Sequence, residues 1–372
     1  MEKGGVLAGD RTFLALVTAV AVLGLVVLAS ASGPQGFVRF DDAYYFLKHQ
    51  VIFGLLPGII GLVVTSRIPY TLYRKLAGYM LIASVVLLTL VFIPGIGADF
   101  GTSHTWISLG TFSMQPSELV KLTFLFYLAA WMEKRGEHEL GDVSSGLLPF
   151  MTVLGVIMML LILQPDTGTM GIIVAMALAV YFVAGAPMRY FVAFGALGSF
   201  LFWLLVKLSP YRAARFMTFL HPELDPQGVG YHINQALLAV GSGGIFGRGY
   251  GHSLQKFQYL PEVAGDSIFA VLAEEMGFFM TSAMLVLYVA MLLRGLAIAD
   301  EAPDAFGRYL VVGIMAWLGV QAFVNIGAMV GILPITGVPL PFVSYGGTAL
   351  AIGLTAIGIV LNVSMHHAKR EG

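Results

Sequence analysis

The sequence has 372 residues, 58% of them hydrophobic and only 11% charged, with a net charge of −1 and a mean hydropathy of +0.86. A soluble domain carries roughly 25% charged residues, so this is a membrane-protein composition. The charge balance leaves no basic footprint for nucleic acid, and the absence of cysteine excludes disulfides, thiolate chemistry and Cys-ligated metals.

Apolar stretches of about 18 or more residues predict an all-α polytopic membrane protein with about ten transmembrane helices. In chain order these are Thr12–Ser30, Val51–Thr65, Leu76–Ile93, Glu118–Met132, Leu147–Leu163, Met170–Ala184, Tyr190–Leu208, Ser267–Leu293, Tyr309–Ile332 and Thr348–Met365. Residues 1–372 read as a single integral membrane domain. At the end of the first helix, Ala29-Ser30-Ala31 resembles a signal-peptidase site. The apolar run before it is longer than a usual signal core, so retention is expected. Most basic residues, among them Arg67, Arg74, Lys75, Lys134, Arg135, Arg189, Arg294 and Arg308, fall on one side of this arrangement. That excess predicts cytoplasmic N- and C-termini and a large extracytoplasmic loop, about residues 209–265, between helices seven and eight.

Between the third and fourth helices the chain reads GIGADFGTSHTWISLGTFSMQPSELVKL. Trp106 suits an interfacial anchor or a ligand platform. Glu118 and Lys121 share a helix face, so they form a local ion pair, a ligand contact, or both; Pro116 and Ser117 supply a helix start. Further on, Leu163-Gln164-Pro165-Asp166-Thr167-Gly168 breaks two apolar runs. Asp166 reads equally as a cap for the next helix and as a functional acid at membrane depth.

The long loop contains a short amphipathic helix, Ile233–Val240, expected to lie along the bilayer surface. A glycine run follows, with Gly241, Gly243, Gly244, Gly247, Gly249 and Gly251 around Arg248. It matches no phosphate-binding P-loop, which points away from ATP-driven work. It is either a flexible loop or, with Arg212, Arg215, Arg248 and Lys256, an anion cradle. The stretch YLPEVAGDSIFAVLAEEMGFF then brings three acids to the start of the eighth helix. Asp266 stands where an N-cap would, and Glu274 and Glu275 lie about 80° and 180° around the helix from it. A proton or ion pathway would spread carboxylates through the membrane. One acid at the interface instead suits an enzyme acting on a membrane-embedded substrate.

GTSHTWISLGTFSMQPSELVKL, LQPDTGT, GYHINQALLAVGSGGIFGRGYGHSLQKFQYLPEVAGDSIFAVLAEEMG and PLPFVSYGGTAL occur in that order. Together they closely resemble the shape, elongation, division and sporulation (SEDS) family over nearly the whole chain. FDDAYYFLKHQ and QKFQYLPE look more like FtsW-type than RodA-type members. The resemblance implies a peptidoglycan glycosyltransferase of the bacterial cytoplasmic membrane. Such an enzyme polymerises lipid II into undecaprenyl-pyrophosphate-linked glycan at the outer face, for division or elongation. It also implies a class B penicillin-binding protein as partner, alongside other division or elongation proteins. Asp266 matches the family's essential acid, and Trp106, Glu118, Lys121 and Asp166 match its W-I-x-L-G, Q-P-S-E-x-x-K and Q-P-D motifs. A sugar hydroxyl needs a general base, which makes Asp266 the expected base of an inverting transfer. The leaving pyrophosphate needs positive charge, for which Arg212, Arg215, Arg248 and Lys256 are candidates. A divalent cation is an alternative helper, although no carboxylate or histidine cluster has ligand spacing. Departures from the family pattern are Ser103-His104-Thr105 before the tryptophan, Gly265-Asp266-Ser267-Ile268-Phe269, and Thr348-Ala349 after Ser344-Tyr345-Gly346-Gly347. The rival expectations are a lipid II flippase, for which Lys121 and Asp166 would matter most, and a non-catalytic scaffold of the division machinery.

Overall fold

The computed structural model describes residues 9–95, 97–100, 103–109, 112–208, 213, 217–221 and 228–367. Each of the ten apolar segments is helical. In order, with two further helices, they are α1 (Arg11–Ala31), α2 (Gly33–Phe40), α3 (Tyr45–Arg67), α4 (Thr71–Leu90), α5 (Pro116–Leu140) and α6 (Val143–Leu163). They continue with α7 (Thr167–Val183), α8 (Met188–Leu208), α9 (Val229–Ser242), α10 (Ile268–Asp300), α11 (Ala305–Met329) and α12 (Gly347–His367). Among the described residues, eight helices are long and apolar enough to cross a membrane. The chain is therefore a multi-pass membrane protein. Of the other two apolar segments, α5 ends in the charged run Glu133 to Glu139 and α7 has only 17 residues.

Aspartates start four of these helices. Asp10 accepts from Phe13 N at 2.7 Å, Asp142 from Ser144 and Ser145 N at 2.9 Å, Asp166 from Thr169 N at 3.1 Å and Asp304 from Gly307 N at 2.8 Å.

Small residues bring α3 and α12 together. A Cβ on Gly61 would stand 2.1 Å from Thr355 Oγ1, and one on Gly358 would stand 2.2 Å from Thr65 Oγ1. Helices without bulk at the seam approach closely enough for Thr65 Oγ1 to donate to Thr355 O at 2.8 Å. Asp10 pairs with Arg294, Asp10 N donates to Ser364 Oγ at 3.0 Å and Tyr70 N donates to Asn362 Oδ1 at 2.9 Å. The first and last described helices therefore share one end.

Two features depart from the expected plan. The connection after α4 folds into a small antiparallel sheet, β1 (Gly97–Phe100), β2 (Ser103–Leu109) and β3 (Phe112–Met114), in that order. α9 is longer than the expected Ile233–Val240 and packs into the fold by one face: its small stripe of Ile233, Ala236 and Ala239 is buried, and its end at Gly243 sits against Ala273 of α10. The segment 330–346 re-enters between helices. A Cβ on Gly24, about 10 Å inside the end of α1, would stand 2.3 Å from Phe342 O. Irregular backbone at that depth is tolerated because protein surrounds it, and Leu340, Phe342 and Val343 are buried.

Candidate active site

Asp266 is held through the backbone around it. Its C=O accepts from Asn325 Nδ2 at 2.8 Å, Gly265 O accepts from Ser344 Oγ at 2.7 Å, and Ala264 O accepts from Tyr345 N at 2.8 Å. On the following residue, Ser267 Oγ lies 2.7 Å from His232 Nε2 of α9. The N-cap of α10 is Ser267 and not Asp266, so capping does not account for the acid. Asn325 lies one turn inside the end of α11, which recesses Asp266 by about 6 Å.

Asn325 belongs to a polar stripe on α11. Its Nδ2 also donates to Val338 O at 2.8 Å, and one turn earlier Gln321 Nε2 donates to Pro339 O at 2.9 Å. Gln321 Oε1 accepts from Trp317 Nε1 at 2.7 Å and from Lys121 Nζ at 2.9 Å. Lys121 donates as well to Glu118 Oε1 at 2.8 Å and lies over the Trp317 ring at 4.6 Å. Lys121 is 0% and Glu118 3% exposed. The pair is thus a buried strut that joins α5 to α11 and to the re-entrant segment, and neither side chain faces solvent. Glu118 Oε2 has no hydrogen-bond partner among the described residues. It borders a cavity of about 10 Å³ beside Gln321 and Ser344, room for about one water.

Asp166 both caps α7 and accepts from Ser117 Oγ at 3.1 Å, tying α7 to the start of α5. Neighbouring Gln164 donates to Leu88 O at 2.7 Å. Trp106 is half-buried on β2, opposite Ala98 of β1. Arg212 and Arg215 lie outside the described residues.

The glycine run has a structural purpose. α10 is broken at Gly277, with φ 72° and ψ −178°, a conformation open essentially to glycine alone. Across the break, Arg248 N and Gly249 N donate to Glu274 O and Glu275 O at 3.0 and 2.9 Å. In return, Phe278 N and Phe279 N donate to Gly244 O and Ile245 O at 2.8 and 3.1 Å. Cβ atoms on Gly243, Gly247 or Gly277 would stand about 2 Å from backbone (2.0, 2.1 and 2.1 Å). Glycine here permits two backbones to meet. The run therefore packs against α10, a role that the flexible-loop and anion-cradle readings did not include.

Glu274 and Glu275 secure the same loop. Glu274 accepts from Leu254 N at 3.1 Å and from Ser253 Oγ. Glu275 accepts from Ser30 Oγ of α1 at 2.7 Å and from Lys256 Nζ at 2.8 Å. Lys256 is 4% exposed and also donates to Ser30 Oγ and Gly251 O. Its expected place at a substrate phosphate is corrected, because burial and three acceptors commit the ammonium to the fold. Arg248 remains exposed, with a loose 3.6 Å contact to Glu274. Among the described residues no group of three His, Asp or Glu is placed to hold a metal ion.

A family model described as cell cycle protein, covering FtsW, RodA and SpoVE, matches residues 10–369. The chain belongs to this family. It is 38% identical over 357 residues to stage V sporulation protein E of Bacillus subtilis, covering 96% of this chain and 97% of the relative. It is 39% identical over 355 residues to a probable peptidoglycan glycosyltransferase FtsW of Trichlorobacter lovleyi, covering 95% and 93%. Among solved structures it is similar to a chain of a peptidoglycan synthase complex, at TM-score 0.81 and 30% identity, covering 98% and 99%. It is also similar to the rod shape determining protein RodA of Thermus thermophilus, at TM-score 0.71 and 28% identity, covering 98% and 99%.

Within this FtsW/RodA/SpoVE chain, sequence reasoning missed Gln50, His232, Trp317, Gln321, Asn325 and Ser344. Gln50 closes the scaffold from α3, donating to Ser344 O at 3.1 Å and accepting from Gly346 N at 2.9 Å. The signal available for α11 was the spacing of Trp317, Gln321 and Asn325, four residues apart and so on one face of an apolar helix.

Proposed function

We propose that the chain polymerises lipid II into glycan strands at the outer face of the bacterial cytoplasmic membrane, with Asp266 as general base of an inverting transfer. The observation that carries the reading is the fixing of Asp266 by contacts from α11 and the re-entrant segment to its own and adjacent backbone, and from α9 to the Ser267 hydroxyl beside it. A base held in this way keeps its position while its carboxylate changes charge. The family relatives named as peptidoglycan glycosyltransferases support the reaction class.

The 4-hydroxyl of one sugar attacks the anomeric carbon of the other, and its proton passes to Asp266 as the new C–O bond forms. The bond from the anomeric carbon to the pyrophosphate oxygen breaks, and the electron pair leaves with undecaprenyl pyrophosphate. α9 and α10 both begin beside Asp266, where their positive ends favour the anion that develops. Exposed Arg248, with Arg212 and Arg215 of the same loop, is the cation we assign to that pyrophosphate. Trp106 and Asp166 are the remaining candidates for the sugar and headgroup. The sealed Glu118–Lys121 strut does not favour a flippase, which would need Lys121 open to a headgroup. The basic excess at the end that holds Asp10 and Ser364 supports cytoplasmic termini. A class B penicillin-binding protein is the proposed partner, in keeping with the synthase complex among the structural relatives.

The test is a lipid II polymerisation assay on purified protein, alone and with a partner made inactive for cross-linking. Wild type is expected to yield a ladder of glycan products, and Asp266→Asn to lower the rate by about 10²–10⁴-fold. A ladder that persists in the mutant would reject Asp266 as base. No ladder under any partnered condition would reject the polymerase.

A further inference from the structure

At the end of the molecule opposite Asp266, α4 and α5 part to leave a cavity of about 670 Å³. Its floor is made of small residues, Ala77 and Gly78 of α4 and Ala130 of α5. A Cβ on Gly78 would meet nothing within 4 Å. Tyr127 and Trp131 of α5 form one wall, and Arg74 and Lys134 stand at the rim with Glu133.

The charges sort simply. Arg74 donates to Glu133 at 2.9 Å and lies 3.9 Å from Asp304. Lys134 is exposed, and among the described residues no carboxylate pairs with it. With Arg74 matched by Glu133 and Asp304, Lys134 is the rim cation left open to an incoming anion. Beyond the floor, Gly78, Ile82 and Val86 follow at four-residue intervals, and Ile82 and Val86 are 62% and 47% exposed. They form an apolar track leading from the charged rim along the outer face of α4.

We propose that this groove binds an anionic glycerophospholipid of the leaflet at the termini's end. Its phosphodiester sits against Lys134 and Arg74, its glycerol beside Tyr127 and Trp131, and one acyl chain along Ile82 and Val86. A single phosphodiester charge matches Lys134, the rim cation that no carboxylate among the described residues pairs with. Aromatic side chains suit the boundary between headgroup and chain, and basic pockets between helices on the cytoplasmic side are suited to anionic headgroups. The volume falls within the range of small-molecule sites, roughly 300–1,000 Å³. Nothing in this inference depends on the proposed polymerisation.

Native mass spectrometry of the full chain tests it, with dioleoyl-phosphatidylglycerol and dioleoyl-phosphatidylcholine offered in equal amounts. Wild type is expected to retain phosphatidylglycerol in preference. Lys134→Gln, an exposed substitution that leaves the fold intact, should reduce that retention about fivefold, as one basic residue at a membrane surface implies. Gly78→Leu keeps every charge and fills the groove, so it should abolish the preference. Equal retention of the two lipids by wild type would overturn the proposal, as would phosphatidylglycerol retention unchanged in both variants. Displacement of the lipid by millimolar inorganic phosphate would show that an ion alone is the ligand, and would overturn it too.

Discussion

Asp266 and the pair Glu274–Glu275 lie within ten residues of each other, yet their surroundings differ. Around Asp266 the backbone itself is held: Asn325, Ser344 and Tyr345 donate to the C=O groups of residues 264–266. Around Glu274 and Glu275 the contacts run to the carboxylates, which take Ser30, Ser253, Leu254 and Lys256 and are 1% and 3% exposed. The two buried acids anchor a loop, and the half-buried acid is the one we propose as the base. Acidity near a helix start does not by itself distinguish such roles.

The widest separation between the two regions should come from paired substitutions. Asp266→Asn should remove polymerisation and leave thermal unfolding unchanged. Lys256→Met should do the reverse per folded molecule. It strands a buried carboxylate at a cost of about 3–5 kcal/mol, and adding Glu275→Gln should recover much of that loss. Thermal unfolding of the single and double variants in one detergent would show it, and an unrecovered double variant would break the comparison.

Asn325→Ala sits between the two cases. It leaves the C=O groups of Asp266 and Val338 without their donor, at about 1–3 kcal/mol. Turnover per folded molecule should also fall, because Asp266 loses a tether. Unfolding and single-turnover kinetics on the same preparation separate the two effects.

The smallest effect belongs to the far end of the molecule. Burial works to raise the pKa of Asp10, but the Arg294 guanidinium and the Phe13 N–H outweigh it and hold the carboxyl below its ordinary 3.8. A depressed folded value means that the stabilisation is present above the unfolded pKa and is lost as pH falls through the folded one. Asn keeps the cap but loses the charge facing Arg294, so Asp10→Asn should cost about 0.2–1 kcal/mol at pH 7, with the difference from wild type shrinking below pH 4. Unfolding across pH 3–7 would check it, and polymerisation at pH 7 should be unmoved.

The helices were legible because apolar length alone specifies them, and Asp266 stood out as a candidate through the company of motifs around it. The partners of Glu275 were not. Ser30 lies 245 residues away in sequence, and no local pattern announces so distant a contact. The packing role of the glycine run was hidden for a similar reason, since its counterpart is the stretch of α10 around Gly277, inside an apolar helix. The three short strands before α5 were missed because they sit in a connection with no sustained alternation of apolar and polar residues.

The scaffold of Asp266 draws on residues from Gln50 to Gly346, and this sets an order on biogenesis. Chains are made and inserted from the N-terminus, so α10 is in place before Ser344 and Tyr345 leave the ribosome. Until they do, the carbonyls of Ala264 and Gly265 have no partner from the re-entrant segment. The backbone scaffold of Asp266 is therefore completed only once residues 344–346 have been made and inserted.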